Sequence, residues 1–166
     1  MMRILVLSDT HIPVTASKLP NIIEKEAKSC DCCIHAGDYI IYPVYEVLSQ
    51  WTKIHGVYGN MDEDTIKNNL PEEQIIQLED INLALTHGGG HPKKILEHIN
   101  KKFICEAQNI DIFVFGHSHM PFDEKIDGKI YFNPGSPTDT MFAPYRSYGI
   151  LEINGKEIKR SIIKIG

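Results

Sequence analysis

His117 and His119 stand one residue apart, just after Gly116 and the run Ile112-Phe113-Val114-Phe115. That run is short, apolar and rich in β-formers, the pattern of a buried strand. In an extended segment residues i and i+2 point to the same side, so both imidazoles are expected to face one small volume beyond the strand's end. Either histidine alone would be unremarkable; the pair gains meaning only if metal-type side chains end other strands. They do. Asp9 and His11 follow Arg3-Ile4-Leu5-Val6-Leu7, Asp38 follows Cys32-Cys33-Ile34-His35-Ala36 and Gly37, Asn60 follows Gly59 after Lys53 to Tyr58, and His87 follows Asn82 to Thr86.

Two carboxylates, one amide and four imidazoles make up this set. Carboxylate with imidazole suits Mn²⁺, Fe²⁺, Ni²⁺ or Zn²⁺ better than Ca²⁺ or a thiolate-bound ion. The set is too large for one such ion and fits two, if one carboxylate bridges. Two ions about 3.5–4 Å apart form the arrangement used for phosphoryl displacement. With Asp9 and Asp38 as the only anionic ligands, two divalent ions leave the site at about +2, which favours an anionic substrate and lowers the pKa of bound water.

The elements that must position these residues read in order. Arg3 to Leu7 is apolar throughout, as in a strand covered on both faces. Residues 17–29 carry Leu19, Ile22, Ile23 and Ala27 at helical spacing, with Pro20 in the first turn. Residues 32–36 are a second strand, Val44 to Trp51 a helix after Pro43, and Lys53 to Tyr58 a third strand. Strand–helix–strand–helix–strand predicts right-handed βαβ units on a parallel sheet, with the site beyond the strands' carboxyl ends. Residues 74–78 and 82–86 read as paired strands, a helix runs from Pro92 to about Lys102, and 111–115 is the strand before His117. Hairpins are expected at 122–132 through Asp127-Gly128 and at 147–163 through Asn154-Gly155. Asn133-Pro134-Gly135-Ser136-Pro137 is a turn-rich loop. The expected fold class is α/β, one domain over residues 1–166, with two mixed β-sheets packed face to face and helices outside.

Composition narrows the function. Hydrophobic content of 42% with 23% charged residues is that of a globular chain, and the net charge of −5 argues against a general nucleic-acid or anionic-membrane binder. No apolar run of about 18 residues is present, so no membrane span is expected, and without signal-peptide architecture the expected location is cytoplasmic. Cys30, Cys32 and Cys33 crowd together, but no second Cys/His pair stands at zinc-finger spacing. They read as reduced cysteines acting as small hydrophobes beside a strand.

Asp9-x-His11, Gly37-Asp38, Gly59-Asn60-x-Asp62, His87-Gly88 and Gly116-His117-x-His119, in this order, resemble the signature blocks of the calcineurin-like metallophosphoesterase superfamily. Within it the chain resembles the small single-domain branch of bacterial and archaeal phosphodiesterases, whose typical loop Asn133-Pro134-Gly135-Ser136 matches. The resemblance implies a phosphodiesterase of a small phosphate ester with two divalent ions, Mn²⁺ first among the candidates and Ni²⁺, Fe²⁺, Zn²⁺ or Mg²⁺ beside it. It implies Asp9, His11, Asp38 and His119 around the first ion and Asp38, Asn60, His87 and His117 around the second, with Asp38 bridging. A hydroxide between the ions would attack phosphorus in line, and Asn60 would lie close to a phosphate oxygen. The alternative is a catalytically weak scaffold of the same fold, as in a retromer subunit; the complete set of ligand types favours the enzyme.

One position departs from the wider superfamily. Many members carry a histidine between the asparagine and the acid of the third block, thought to protonate the leaving group; here it is Met61, which cannot donate a proton. The general acid is therefore unassigned. His91, on the triple-glycine loop after His87, is the nearest candidate for touching substrate, and its competing reading is an exposed histidine at a helix start. Arg146 could bind phosphate bidentately, although an Arg opening an edge strand is more often solvated. His35 is expected behind Asp38 in a structural role, and Asp62 to hold its own loop. Tyr39 to Tyr42 suit either a substrate pocket or a contact between copies of the chain, so a homo-oligomer is kept as an expectation.

Overall fold

The computed structural model describes residues 1–166. The first sheet has the order β10-β9-β1-β2-β3. Its strands are β1 (Met2–Leu7), β2 (Cys32–His35), β3 (Ile54–Gly56), β9 (Ser147–Asn154) and β10 (Glu157–Lys164). β1, β2 and β3 run parallel, β9 runs antiparallel to β1, and β10 pairs antiparallel with β9 at the edge. The second sheet has the order β4-β5-β6-β8-β7. It contains β4 (Glu73–Leu78), β5 (Ile81–Thr86), β6 (Ile112–Val114), β7 (Phe122–Ile126) and β8 (Lys129–Asn133). Here β5, β6 and β8 are parallel, with antiparallel strands at both edges.

Side-chain alternation explains the layering. Ile4, Val6, Cys32, Ile34 and Leu151 of the first sheet face Leu83, Leu85, Ile112, Val114 and Phe132 of the second in one buried cluster. The residues between them turn outward. Leu5, Leu7 and Cys33 pack on Ile23 and Ala27 of α1 (Asn21–Ser29) and on Val44 and Leu48 of α2 (Tyr42–Trp51). Ala84, Phe113 and Tyr131 pack on Ile95 and Ile99 of α4 (Ile95–Lys102). Strands with helices on one face and a sheet on the other are buried on both, hence the uninterrupted apolar runs. Two mixed sheets packed face to face with helices outside are the expected architecture.

The differences are local. α1 starts at Asn21, not 17, because Pro20 holds an extended conformation (φ −56°, ψ 140°) at the N-cap. α2 starts at Tyr42, with Pro43 inside its first turn, where a missing N–H costs nothing. A 3₁₀ turn, Pro92–Lys94, precedes α4. A short helix, α3 (Asp64–Asn69), has no counterpart in the sequence pattern: six residues burying only Ile66 carry no periodicity to read. No helix is long and apolar enough to cross a membrane.

Candidate metal centre

Asp9 and His11 follow β1, Asp38 follows β2, Asn60 follows β3, His87 follows β5, and His117 and His119 follow β6. The loops of the two sheets meet at one seam, where Gly116 N–H donates to the His87 carbonyl and His117 N–H to the Asp9 carboxylate (3.1–3.2 Å). A side chain at Gly116 would collide with Ser8 and Asp9, so glycine at this point in the motif permits close approach of the two loops. Gly37 (φ 91°) is left-handed and lies against Gly59 and His87.

Backbone geometry corrects one expectation. His117 (φ 67°) and His119 (φ 57°) are not extended; both are left-handed, as are Asp9 (52°), His11 (42°) and Asp38 (60°). Left-handed backbone costs an L-residue about 1–2 kcal/mol, and such strain gathers where geometry matters more than stability. The pair also splits. His119 Nε2 lies 3.4 Å from Asp9 Oδ1, whereas His117 Nδ1 lies 3.1 Å from Asn60 Oδ1.

Asp9, His11 and His119 form one group of possible ligand atoms mutually within 4.8 Å, and Asp9, Asp38 and His87 form a second. Asp38 Oδ2 lies 3.3 Å from His11 Nε2 and 3.2 Å from His87 Nε2. Asp9 Oδ1 is more distant from both, at 3.7 and 4.0 Å. Asp9 belongs to both groups, and Asp38 makes the closer approach to the imidazoles of His11 and His87.

The tautomers of His87 and His119 follow from their partners, since a carbonyl or carboxylate can only accept. His87 Nδ1–H donates to the Ala36 carbonyl (2.7 Å), leaving Nε2 toward Asp38. His117 faces an acceptor on each side, the Gly90 carbonyl at Nε2 (3.0 Å) and the Asn60 amide oxygen at Nδ1 (3.1 Å), so these two partners do not select its tautomer. His119 Nδ1–H donates to Asp139. His11 Nε2 and His87 Nε2 are buried without a hydrogen-bond partner.

Burial opposes charge on Asp9, Asp38, His11 and His87, yet charge wins. Burial pushes the Asp9 carboxyl up, but His11, His87, His119 and Ser8 together hold it below its ordinary range. Burial likewise raises Asp38, and His11, His87 and the Met61 N–H outweigh it strongly. Burial lowers His11 and His87, while the two carboxylates raise both to about 9. Without metal, protons on these imidazoles balance the carboxylates. Lone pairs directed at one volume, orphaned nitrogens and a cluster that holds positive charge fit divalent cations, which would displace the protons.

A supporting layer fixes the loops. The Asp62 carboxylate accepts the N–H groups of Asp38 (3.0 Å), Ile40 (2.7 Å) and Gly59 (2.7 Å), so it holds two site loops and not only its own. Burial, the largest influence, keeps its pKa above the ordinary range. Asn133 Nδ2 donates to the Gly116 carbonyl (2.9 Å), Ser136 Oγ to the Asp9 carbonyl (2.7 Å) and Thr138 Oγ1 to the Thr10 carbonyl (2.8 Å). The loop after β8 thus ties the segment after β6 to the segment after β1. It also delivers Asp139, fully buried, to His119. Burial pushes the Asp139 carboxyl up, but His119 and backbone N–H groups hold it below its usual range. Nothing in the spacing of Asp139 marks it; its only signal is a carboxylate two residues beyond the turn-rich loop 133–137.

Other predicted residues lie apart. His91 is exposed and caps the turn before α4, its Nδ1 accepting the Lys93 N–H (3.2 Å). Arg146 donates to the Gly166 carbonyl (2.7 Å). His35 is buried behind Asp38, between Thr10 (3.1 Å) and the stacked ring of Tyr39, and burial lowers it to about 3. Tyr39 is itself fully buried, which removes it from any surface contact, whereas Ile41 and Tyr42 remain partly exposed. Cys32 and Cys33 are buried on opposite faces of β2, as small core residues.

The family model of the calcineurin-like phosphoesterase superfamily domain matches residues 2–156. A "probable metallophosphoesterase" of Methanothermobacter thermautotrophicus is 28% identical over 165 residues, covering 99% of this chain and 94% of that one. A phosphodiesterase of Methanocaldococcus jannaschii is 26% identical, covering 98% of this chain and 100% of its own. In fold the chain is similar to Vps29 from Entamoeba histolytica, with TM-score 0.76, 22% identity, and coverage of 99% of this chain and 100% of that one.

Proposed function

The chain belongs to the calcineurin-like phosphoesterase superfamily, and from that premise we propose that it is a two-metal phosphodiesterase acting on a small phosphate ester. The observation that carries the reading is Asp38, whose Oδ2 stands between His11 and His87 at 3.3 and 3.2 Å. Asp38 would be shared by the two ions, with Asp9, His11 and His119 holding one and Asn60, His87 and His117 the other. Mn²⁺ is put first by the family resemblance, while the mixed carboxylate and imidazole donor set suits Mn²⁺, Fe²⁺, Ni²⁺ and Zn²⁺ alike. When bound, the ions supply Lewis acidity toward the phosphoryl oxygens and lower the pKa of water toward neutrality.

The chain's own residues do the rest. Asp9 and Asp38, held by the N–H groups of His117 and Met61, neutralise part of the ions' charge without moving. Counting the buried carboxylate of Asp139, the local surplus falls from about +2 to about +1. That matches the monoanion of a diester better than the dianion a monoester carries above about pH 6. The Asn60 amide would meet a phosphoryl oxygen, as the family resemblance implies. Met61 gives its N–H to Asp38 (2.8 Å) and leaves an exposed thioether where a proton donor would stand. The leaving group departs without its help, which favours stabilised leaving groups such as phenolates.

The likeness to Vps29 is one of fold alone, and the convergence of donors together with the family favours the hydrolase over the scaffold. The test compares bis-p-nitrophenyl phosphate with p-nitrophenyl phosphate under saturating Mn²⁺. A higher kcat/KM for the diester is expected. Preference for the monoester would overturn the diester reading, and no turnover of either with two ions bound would favour the scaffold.

A further inference from the structure

We infer that Asp139 is a positioning residue: its buried carboxylate locks His119 in the tautomer whose Nε2 is open to a cation, and so makes the Asp9–His11–His119 position the tighter of the two. The inference rests on the two-metal reading above.

Three of the imidazoles have a nitrogen anchored away from the cluster, and the anchors differ in kind. His87 is backed by the Ala36 carbonyl and His117 by the Gly90 carbonyl. His119 is backed by a carboxylate. A carboxylate behind a metal-binding imidazole fixes the ring and raises the basicity of its far nitrogen more than a neutral carbonyl does. The carboxylate is itself rigid. Its Oδ1 accepts the N–H groups of Met141 (2.7 Å) and Phe142 (3.2 Å), its Oδ2 accepts that of Ala143 (3.3 Å) as well as His119, and the Asp139 N–H is held by Ser136 Oγ (3.0 Å). With no solvent exposure, it cannot turn away from His119 without stranding those donors.

These contacts dictate an informative variant. In Asp139→Asn the amide oxygen stays with the Met141 and Phe142 N–H groups, since an NH₂ there would face two donors. The NH₂ is then presented to His119 Nδ1, which must accept, and the ring proton moves to Nε2, the atom that faces Asp9. The loop keeps the Met141 and Phe142 bonds, loses the longer Ala143 one, and the tautomer is reversed.

Calorimetric titration with Mn²⁺ of the wild-type chain, Asp139→Asn and Phe142→Ala tests this. Phe142→Ala removes the ring that lies edge-on to His119 (6.3 Å) and keeps the carboxylate. Asp139→Asn is expected to weaken one of two sites by about 10–100-fold with the other nearly unchanged, and Phe142→Ala to leave both unchanged. Two unchanged sites in Asp139→Asn, or an equal loss in Phe142→Ala, would overturn the role of Asp139 and leave the two-metal reading intact. A wild-type chain that binds fewer than two ions would overturn that reading first. Should Asp139→Asn not fold, ¹⁵N NMR of the Zn²⁺-loaded wild-type chain decides: a protonated His119 Nδ1 is expected, and an unprotonated one overturns the inference.

Discussion

The two sheets bring different chemistry to the seam where they meet. Loops of the first sheet carry both carboxylates, Asp9 and Asp38, with His11 and Asn60; loops of the second carry imidazoles alone, His87, His117 and His119. Negative charge therefore sits on one sheet, and both carboxylates that could join the two groups of donors, Asp9 and Asp38, are there. The second sheet offers neutral nitrogens, whose usefulness depends on which one holds the proton. Its imidazoles are accordingly backed by acceptors: Ala36 from the first sheet, Gly90 from its own loop, and Asp139 from the connection between the sheets. One sheet supplies charge fixed by backbone N–H groups; the other supplies lone pairs fixed by hydrogen-bond acceptors.

The sharpest break of this asymmetry is by substitution on each side. Asp38→Ala on the first sheet should abolish binding of both ions and lower kcat/KM by more than about 100-fold, beyond the cost of losing a supporting contact. His87→Ala on the second should cost one ion and spare the other. Metal analysis of the two purified variants distinguishes them, and equal losses would end the comparison.

At the seam, Gly116→Ala would place a Cβ 1.7 Å from Ser8 Oγ and 2.8 Å from Asp9 Oδ2. Forced separation of the loops should cost about 1–3 kcal/mol, a fall in Tm of roughly 2–12 °C for a chain of this size. An unchanged melting curve would mean the sheets are not in contact there.

Titration probes the charge that the two sheets share at the seam. His11 and His87 hold protons in the metal-free fold up to about pH 9, above their ordinary 6.5, so the folded state binds more protons in that interval and loses stability as pH rises through it. His35, lowered to about 3, costs stability as pH falls below 6.5, and the depressed Asp9 and Asp38 add to that loss in acid. The Tm of the metal-free protein should therefore peak near pH 6.5. Mn²⁺ affinity should rise from pH 6.5 to 9 as the metal displaces fewer protons; a flat affinity would place these imidazoles outside the site.

The smallest effect is expected at His91, which touches neither group of donors. His91→Ala should remove a cap worth about 0.5–1 kcal/mol and leave kcat/KM for bis-p-nitrophenyl phosphate within twofold. A tenfold loss would instead put His91 on the substrate.

Much of this was legible in the chain. Apolar runs ending in Asp-x-His, Gly-Asp, Gly-Asn, His-Gly and Gly-His-x-His mark both the strands and the loops, because strands buried on two faces have uninterrupted apolar sequences and the loops beyond them carry the polar donors. The fold class and the gathering of Asp9, His11, Asp38, Asn60, His87, His117 and His119 followed from that pattern. The left-handed conformation of His117 and His119 did not, since aspartate and histidine adopt positive φ only when the surrounding loops impose it. Asp139 was not legible either: it acts through a contact to His119, 20 positions away in the chain. α3 was missed because one buried residue in six leaves no period.

The account turns on two ions sharing Asp38, and electron paramagnetic resonance of the Mn²⁺-loaded protein reads that sharing directly. It predicts an exchange-coupled signal that disappears in Asp38→Ala. A spectrum of isolated Mn²⁺ at full loading would contradict it.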